Sequence, residues 1–343
     1  MKKQRILRRV ILAELVAAVS LTALLRRPKT EDFSLLYSST EEVDRDYIKW
    51  VDFQVTAEAL RKAYEYDKNT YGSQIHLDWI ELLAYVAAHT GGEFSRESTV
   101  SDYMDSAAEY LLAGGTMEEL AGELQYYDYY LEAYTAVLGG MVGEYRIEEI
   151  QKEGEEPVWT WHYGLKAFHP IAKGFPYSDY DDFGVSRSYG YERRHLGHDM
   201  MGQTGTPVIA VESGIVEALG WNQYGGWRIG IRSFDGKRYY YYAHLRKGFP
   251  YALTLEEGSK VQAGDVIGYM GRTGYSTTED VNNIDEPHLH FGIQLIFDES
   301  QKEGSQEIWI DCYQLVRFLY QNRSECVRND ETKEWSRKYQ MTD

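Results

Sequence analysis

The sequence predicts a multidomain α+β protein: an N-terminal membrane helix, a small all-α domain and a C-terminal antiparallel β domain. Three features predict it. A basic–apolar–basic segment opens the chain, and apolar residues then recur at helical spacing to about residue 150. Beyond about residue 158 the apolar runs shorten to strand length and are punctuated by glycine. The expected divisions are an anchor over 1–29, a tether over 30–45, a helical domain over 46–150 and a connector over 151–185. A β domain over 186–300 and a C-terminal helix and tail over 301–343 complete the chain.

Lys2, Lys3, Arg5, Arg8 and Arg9 precede the apolar run Val10–Leu25, and Arg26, Arg27 and Lys29 follow it. A basic start before an apolar run marks an export signal or a membrane anchor. The run is shorter than the roughly 20 residues of a full span, and Glu14 interrupts it. Ile6 and Leu7 lengthen it, and flanking arginines can snorkel. No small-x-small cleavage site precedes residues 26–29, which favours a retained single-pass anchor over a cleaved signal. The greater positive charge before the run puts the N-terminus in the cytoplasm and the body of the chain outside the membrane. Secretion after cleavage is the alternative.

In the helical part, Thr56 caps a helix through Ala59, Leu60, Ala63 and Tyr64. Leu77–Ala88 carries apolar residues at helical spacing and ends at Gly91–Gly92. Thr116–Glu119 reads as a capping box, and Tyr126–Leu138 as a further helix closed by Gly139–Gly140. Leu82–Phe94 faintly resembles the helix-to-loop segment of lysozyme-like transglycosylases, but His89 stands where that family has its catalytic glutamate. Without the acid, glycoside cleavage has no proton donor, so the domain reads as a positioning or interaction module. The acidic stretch Glu148–Glu156 marks its boundary.

Strand-like runs follow at Val208–Val211, Gly214–Ala218, Trp227–Arg232 and Tyr239–His244, with a hairpin signal at Asp235–Gly236. Ile308–Leu319 reads as a closing helix. The formal charge is −18, and residues 1–29 hold eight Lys/Arg against one acid, so the body is more acidic still. A body this acidic lacks the basic face that phosphate binding requires, which excludes nucleic acid as a partner. Cys312 and Cys326 are too few for a disulfide framework, and their pairing stays open.

Chemistry concentrates in the β domain. His288 and His290 are two apart on a predicted strand, so both imidazoles leave the same face. His195 and Asp199 flank Gly197, which weakens a helix there. His195, Asp199 and one histidine of the later pair make an N, O, N ligand set with a fourth tetrahedral position free, as a catalytic zinc site requires.

From about Tyr189 to Phe297 the chain resembles the lysostaphin-like M23 metallopeptidases. The resemblance is carried by His195-x-x-x-Asp199, Gly205-Thr-Pro-Val208, Ser213-Gly-Ile-Val216, Tyr242-Ala-His-Leu245, Val261–Gly268, Gly271-Arg-Thr-Gly274 and His288-Leu-His-Phe291, in the family's order. It implies one Zn2+ held by His195, Asp199 and His290, with His244 and His288 serving catalysis, their individual parts left open. It implies a zinc endopeptidase acting on peptidoglycan peptides; the helical domain, outside the resemblance, is read as a site for cell-wall protein partners. The alternative is a non-enzymatic scaffold or regulator of cell-wall enzymes. Glu257–Val266 also suggests a lipoyl-type carrier, a reading that leaves the histidines idle. Two departures stand out: His198 replaces an apolar residue and is read as supporting a ligand or facing solvent, and Tyr275–Glu286 lengthens a loop expected to border the cleft. His162 and His169 read as packing or loop residues.

Overall fold

The computed structural model describes residues 47–149, 156–189, 191–302, 304 and 306–343. The expected anchor and tether, residues 1–45, lie outside the described residues, and among those described no helix is long and apolar enough to cross a membrane. Residues 48–343 form one compact unit.

Its helices are α1 (Ala57–Thr70), α2 (Trp79–Thr90), α3 (Glu97–Leu112), α4 (Met117–Ala121) and α5 (Tyr127–Leu138). Thr56 Oγ1 accepts the Ala59 N–H, and Asp78 caps α2 by accepting from Ile80 and Glu81. Gly91 stops α2 at φ 65°, in the left-handed region that glycine tolerates. The Thr116–Glu119 capping box is formed in both directions. Helix α3 escapes a reading by periodicity because it buries only Val100, Met104, Ala107, Ala108 and Leu111 among sixteen residues.

The span 142–149, expected within the helical part, is instead a strand, β1 (Val142–Glu149). It pairs antiparallel with β2 (Val158–Leu165), inside the expected connector. The acidic stretch read as a boundary therefore begins within β1, where Glu148 and Glu149 pair with Trp159 and Val158 of β2. Short strands β3 (Ser178–Asp179), β4 (Ser186–Tyr189) and β5 (Tyr191–Arg194) come next. The remaining strands that build the site are β6 (His198–Met201), β7 (Pro207–Ile209), β8 (Gly214–Asn222), β9 (Gly226–Ser233) and β10 (Arg238–Ala243). After them come β11 (Lys260–Val261), β12 (Val266–Tyr269), β13 (His288–Leu295) and β14 (Ile308–Ile310). The main sheet runs β11-β8-β9-β10-β13-β6-β3, with β14 also paired to β13. Ile308–Ile310 is thus a strand, in register with Ile293–Leu295, and the closing helix α6 starts only at Tyr313 and ends at Leu319. Asp235–Gly236 turns the β9–β10 hairpin, with Gly236 at φ 75°.

Alternation along β10 and β13 divides the sheet into two faces. Tyr240, Tyr242, Leu289, Phe291 and Ile293 are fully buried. They share a single core with Leu60, Leu83 and Tyr134 of the helices, so the helical region is a layer of the same unit. Tyr64 of α1 meets Phe318 of α6 edge-on at 5.9 Å. On the same side Arg238, fully buried, donates to Glu212 through Nε at 2.7 Å and to the Ala136 carbonyl of α5 at 2.6 Å. Tyr240 Oη donates to Glu212 at 2.5 Å. The opposite face carries Tyr239, Tyr241, His290 and Gln294, and it lines a cleft of about 590 Å³. Cys312 and Cys326 are both unpaired.

Candidate metal centre

Strand pairing puts His290 of β13 directly opposite Asp199 of β6, so two segments ninety residues apart share one spot on the open face. His195 joins them from the turn before β6. His195 Nε2 lies 3.0 Å from Asp199 Oδ1 and 2.9 Å from His290 Nδ1, and His290 Nδ1 lies 3.0 Å from the same Asp199 oxygen. These three donor atoms form a group able to hold a metal ion. A tetrahedral ion with bonds of about 2.0–2.1 Å keeps its ligand atoms a little over 3 Å apart, so this triangle fits zinc. Gly197 is required by this approach, because a Cβ there would lie 2.6 Å from His290 Cε1 and 2.7 Å from the Phe291 carbonyl oxygen.

The imidazole orientations are fixed from behind. His195 Nδ1 faces the Asp182 carbonyl at 3.0 Å and its carboxylate at 3.2 Å, which leaves Nε2 to the centre. Burial disfavours a charged His195, but Asp182 and Asp199 overcome it and raise the pKa to about 9. Burial likewise opposes ionisation of Asp199, yet hydrogen bonds from His195 and His290 hold its carboxyl far below the ordinary range. Two buried carboxylates among these imidazoles attract positive charge, which a cation would supply in place of a proton.

Sequence reasoning missed Asp182 and Arg187. Arg187 Nη2 binds Asp182 Oδ2 at 2.7 Å and the outer oxygen of Asp199 at 3.1 Å. His198 does not join the donor triangle. Fully buried, it meets Asp179 of β3 through Nε2 at 2.9 Å, and its Nδ1 stands 3.7 Å from Asp182 Oδ1, an ion-pair separation. It therefore braces the residue that orients His195 and does not face solvent.

The other two histidines stand alongside. His244 and His288 have ring centroids 4.7 Å apart, and His288 Nε2 is 3.8 Å from Asp199 Oδ1. His244 Nδ1 lies 2.9 Å from the Thr273 carbonyl and His288 Nδ1 lies 3.0 Å from that of Glu286, so each Nδ1–H donates inward and each Nε2 is left free. Burial pushes the His244 pKa well down, and the neighbouring histidines add to the shift. His244 also holds φ 60°, a strained value for a residue with a Cβ. His162 is exposed on β2. His169 is buried behind the sheet, with Nε2 at 2.9 Å from Tyr177 Oη. Neither reaches the centre.

The profile of peptidase family M23 matches residues 193–303, a span holding all five of these side chains. The chain carries an M23 peptidase domain. An L-Ala--D-Glu endopeptidase of Bacillus subtilis (strain 168) is 32% identical over 226 residues, 66% of this chain and 64% of that protein. Lysostaphin of Staphylococcus simulans is 38% identical over 133 residues, 38% of this chain and 23% of its own length. The chain thus spans less than two thirds of either relative. A crystal structure of a candidate glycyl-glycine endopeptidase, lytM, from Ruminococcus gnavus ATCC 29149 has a TM-score of 0.52 at 25% identity. That likeness covers 82% of this chain and 94% of the other, well beyond the M23 domain alone. Asp182 and Arg187 lie upstream of the M23 match.

Proposed function

We propose that this chain is a zinc-dependent endopeptidase that hydrolyses peptide bonds in peptidoglycan stem peptides or cross-bridges. One observation carries the reading: the donor triangle of His195, Asp199 and His290, with two further imidazoles beside it. Zinc held there would polarise a scissile carbonyl and acidify a water. His244, kept neutral by burial and anchored through Nδ1, accepts a proton at Nε2. His288, anchored in the same sense, can pass a proton to the leaving amine or donate to the developing oxyanion. Asp182 and Arg187 hold His195 and Asp199 in place throughout. The Bacillus relative's name specifies an L-Ala–D-Glu bond and the Ruminococcus protein's a glycyl-glycine bond, and both are candidates here. The substrate places the enzyme outside the membrane, where the basic–apolar N-terminus would hold it. Zinc-loaded protein should release new amino groups from purified cell wall, and a chelator or His288→Ala should stop the release. Inertness of the loaded protein towards walls of every cross-link chemistry would overturn the proposal.

A further inference from the structure

The cleft beside the histidines is cationic in a chain that is otherwise strongly acidic. Five of its lining side chains are arginine or lysine and two are carboxylates, against a formal charge of −18 for the whole chain. Two of the five are neutralised locally: Arg187 by Asp182 and Asp199, and Lys302 by Glu217. Arg193, Arg194 and Arg228 have no carboxylate partner among the described residues.

Arg193 and Arg228 line the same cleft. The Arg193 guanidinium lies 4.6 Å from the Tyr224 ring and 5.0 Å from the Tyr275 ring, and its Nη2 donates to Tyr275 Oη at 2.7 Å. A guanidinium held this way loses little freedom on meeting an anion. Arg228, half-buried on the cleft face of β9, has its Nε shielded from solvent and without a hydrogen-bond partner among the described residues. A shielded donor left unpaired is costly, and native folds retain few of them. Both guanidinia line the one cleft together with Tyr241 and Tyr275. These two rings adjoin the histidines: Tyr275 is 5.8 Å from His244, and Tyr241 is 5.8 Å from His290.

We propose that this cleft selects acidic peptides, with Arg193 and Arg228 holding a carboxylate on a residue next to the scissile bond. The identity of that bond rests on the endopeptidase reading; the recognition of the carboxylate does not. A peptide neutral at this position would leave the guanidinia unanswered. The acidic exterior repels anions, but a cationic recess with low-dielectric walls focuses the field where the carboxylate sits.

The test uses dye-labelled L-Ala-D-γ-Glu-L-Lys-D-Ala and its D-isoglutamine counterpart, identical except that an amide replaces one carboxylate. Fluorescence anisotropy with the full, zinc-loaded chain should give about ten- to hundredfold tighter binding of the acidic peptide, the range expected of charge-assisted hydrogen bonds. Arg228→Gln and Arg193→Gln should each bring that ratio towards one, and Arg228→Lys should restore part of it. Equal binding of the two peptides by the wild type, or a preference that survives both glutamine substitutions, would overturn the proposal. A preference lost on substitution, in a protein that cleaves no wall peptide, would uphold the recognition and remove the endopeptidase reading alone.

Discussion

The sheet carries two buried ionic clusters, one on each face, and they are built on opposite plans. On the core face Glu212 receives Arg238 and Tyr240, and the remaining Arg238 donors reach Asp235 and the Ala136 carbonyl, so donors and acceptors match. On the cleft face His195 Nε2, His290 Nδ1 and Asp199 Oδ1 point at one another within about 3 Å. The first cluster supplies its own counter-charge and joins helix α5 to the sheet. The second has ligand atoms converging on a common centre that a cation would complete. Burial and charge alone do not separate a structural cluster from a chemical one. The balance of donors and acceptors does.

That contrast can be broken by substitution. Asp199→Ala should reduce peptide hydrolysis to background and abolish stoichiometric zinc binding by atomic emission, while the urea midpoint of the metal-free protein changes little. Arg238→Ala should do the reverse. It strands Glu212 without its guanidinium and should cost about 3–5 kcal/mol in urea unfolding, with zinc stoichiometry retained in the folded fraction. Asp182→Asn removes the charge behind His195 and should weaken zinc affinity about ten- to hundredfold in a competitive chelator titration. An affinity equal to wild type would show that the charge behind His195 is dispensable.

His169 sharpens the comparison with a buried polar group of neither kind. Burial, with Arg323 nearby, drives its pKa down to about 3 from an ordinary 6.5. The folded state therefore refuses a proton that the unfolded chain accepts. Stability from this group is complete above pH 6.5 and declines as pH falls from there towards 3. Between pH 7 and 5 the loss should be about 2 kcal/mol by linkage, seen as a lower urea midpoint, and His169→Gln should flatten that slope. An unchanged slope in the variant would assign the pH dependence elsewhere.

Four of the five side chains gathered at the centre were readable from local rules, and His244 was reached only through the resemblance to the M23 peptidases. A two-residue step on a strand aims His288 and His290 the same way, and the short His195–Asp199 spacing needs only a turn. Gly197 read as a helix breaker, whereas its spatial role is to let His290 approach. Asp182, Arg187 and Asp179 were not readable. They sit in a segment without strong periodicity, and only the β3–β6 and β4–β5 pairings bring them to the site. Tertiary pairing also explains the other differences. Ile308-Trp-Ile310 is apolar enough for either a helix or a strand, and β13 decides it. β1 and β2 are recognisable only through their pairing, because neither buries a continuous apolar face.

The β4–β5 ribbon places Arg187 directly across from Arg193. One arm grips the outer oxygen of Asp199, and the other rests between Tyr224 and Tyr275 over the recess. A rigid tilt of this two-stranded finger moves both hands together. Loosening it would blunt turnover and peptide discrimination in the same stroke, so kinetic lesions along the ribbon will be mixed.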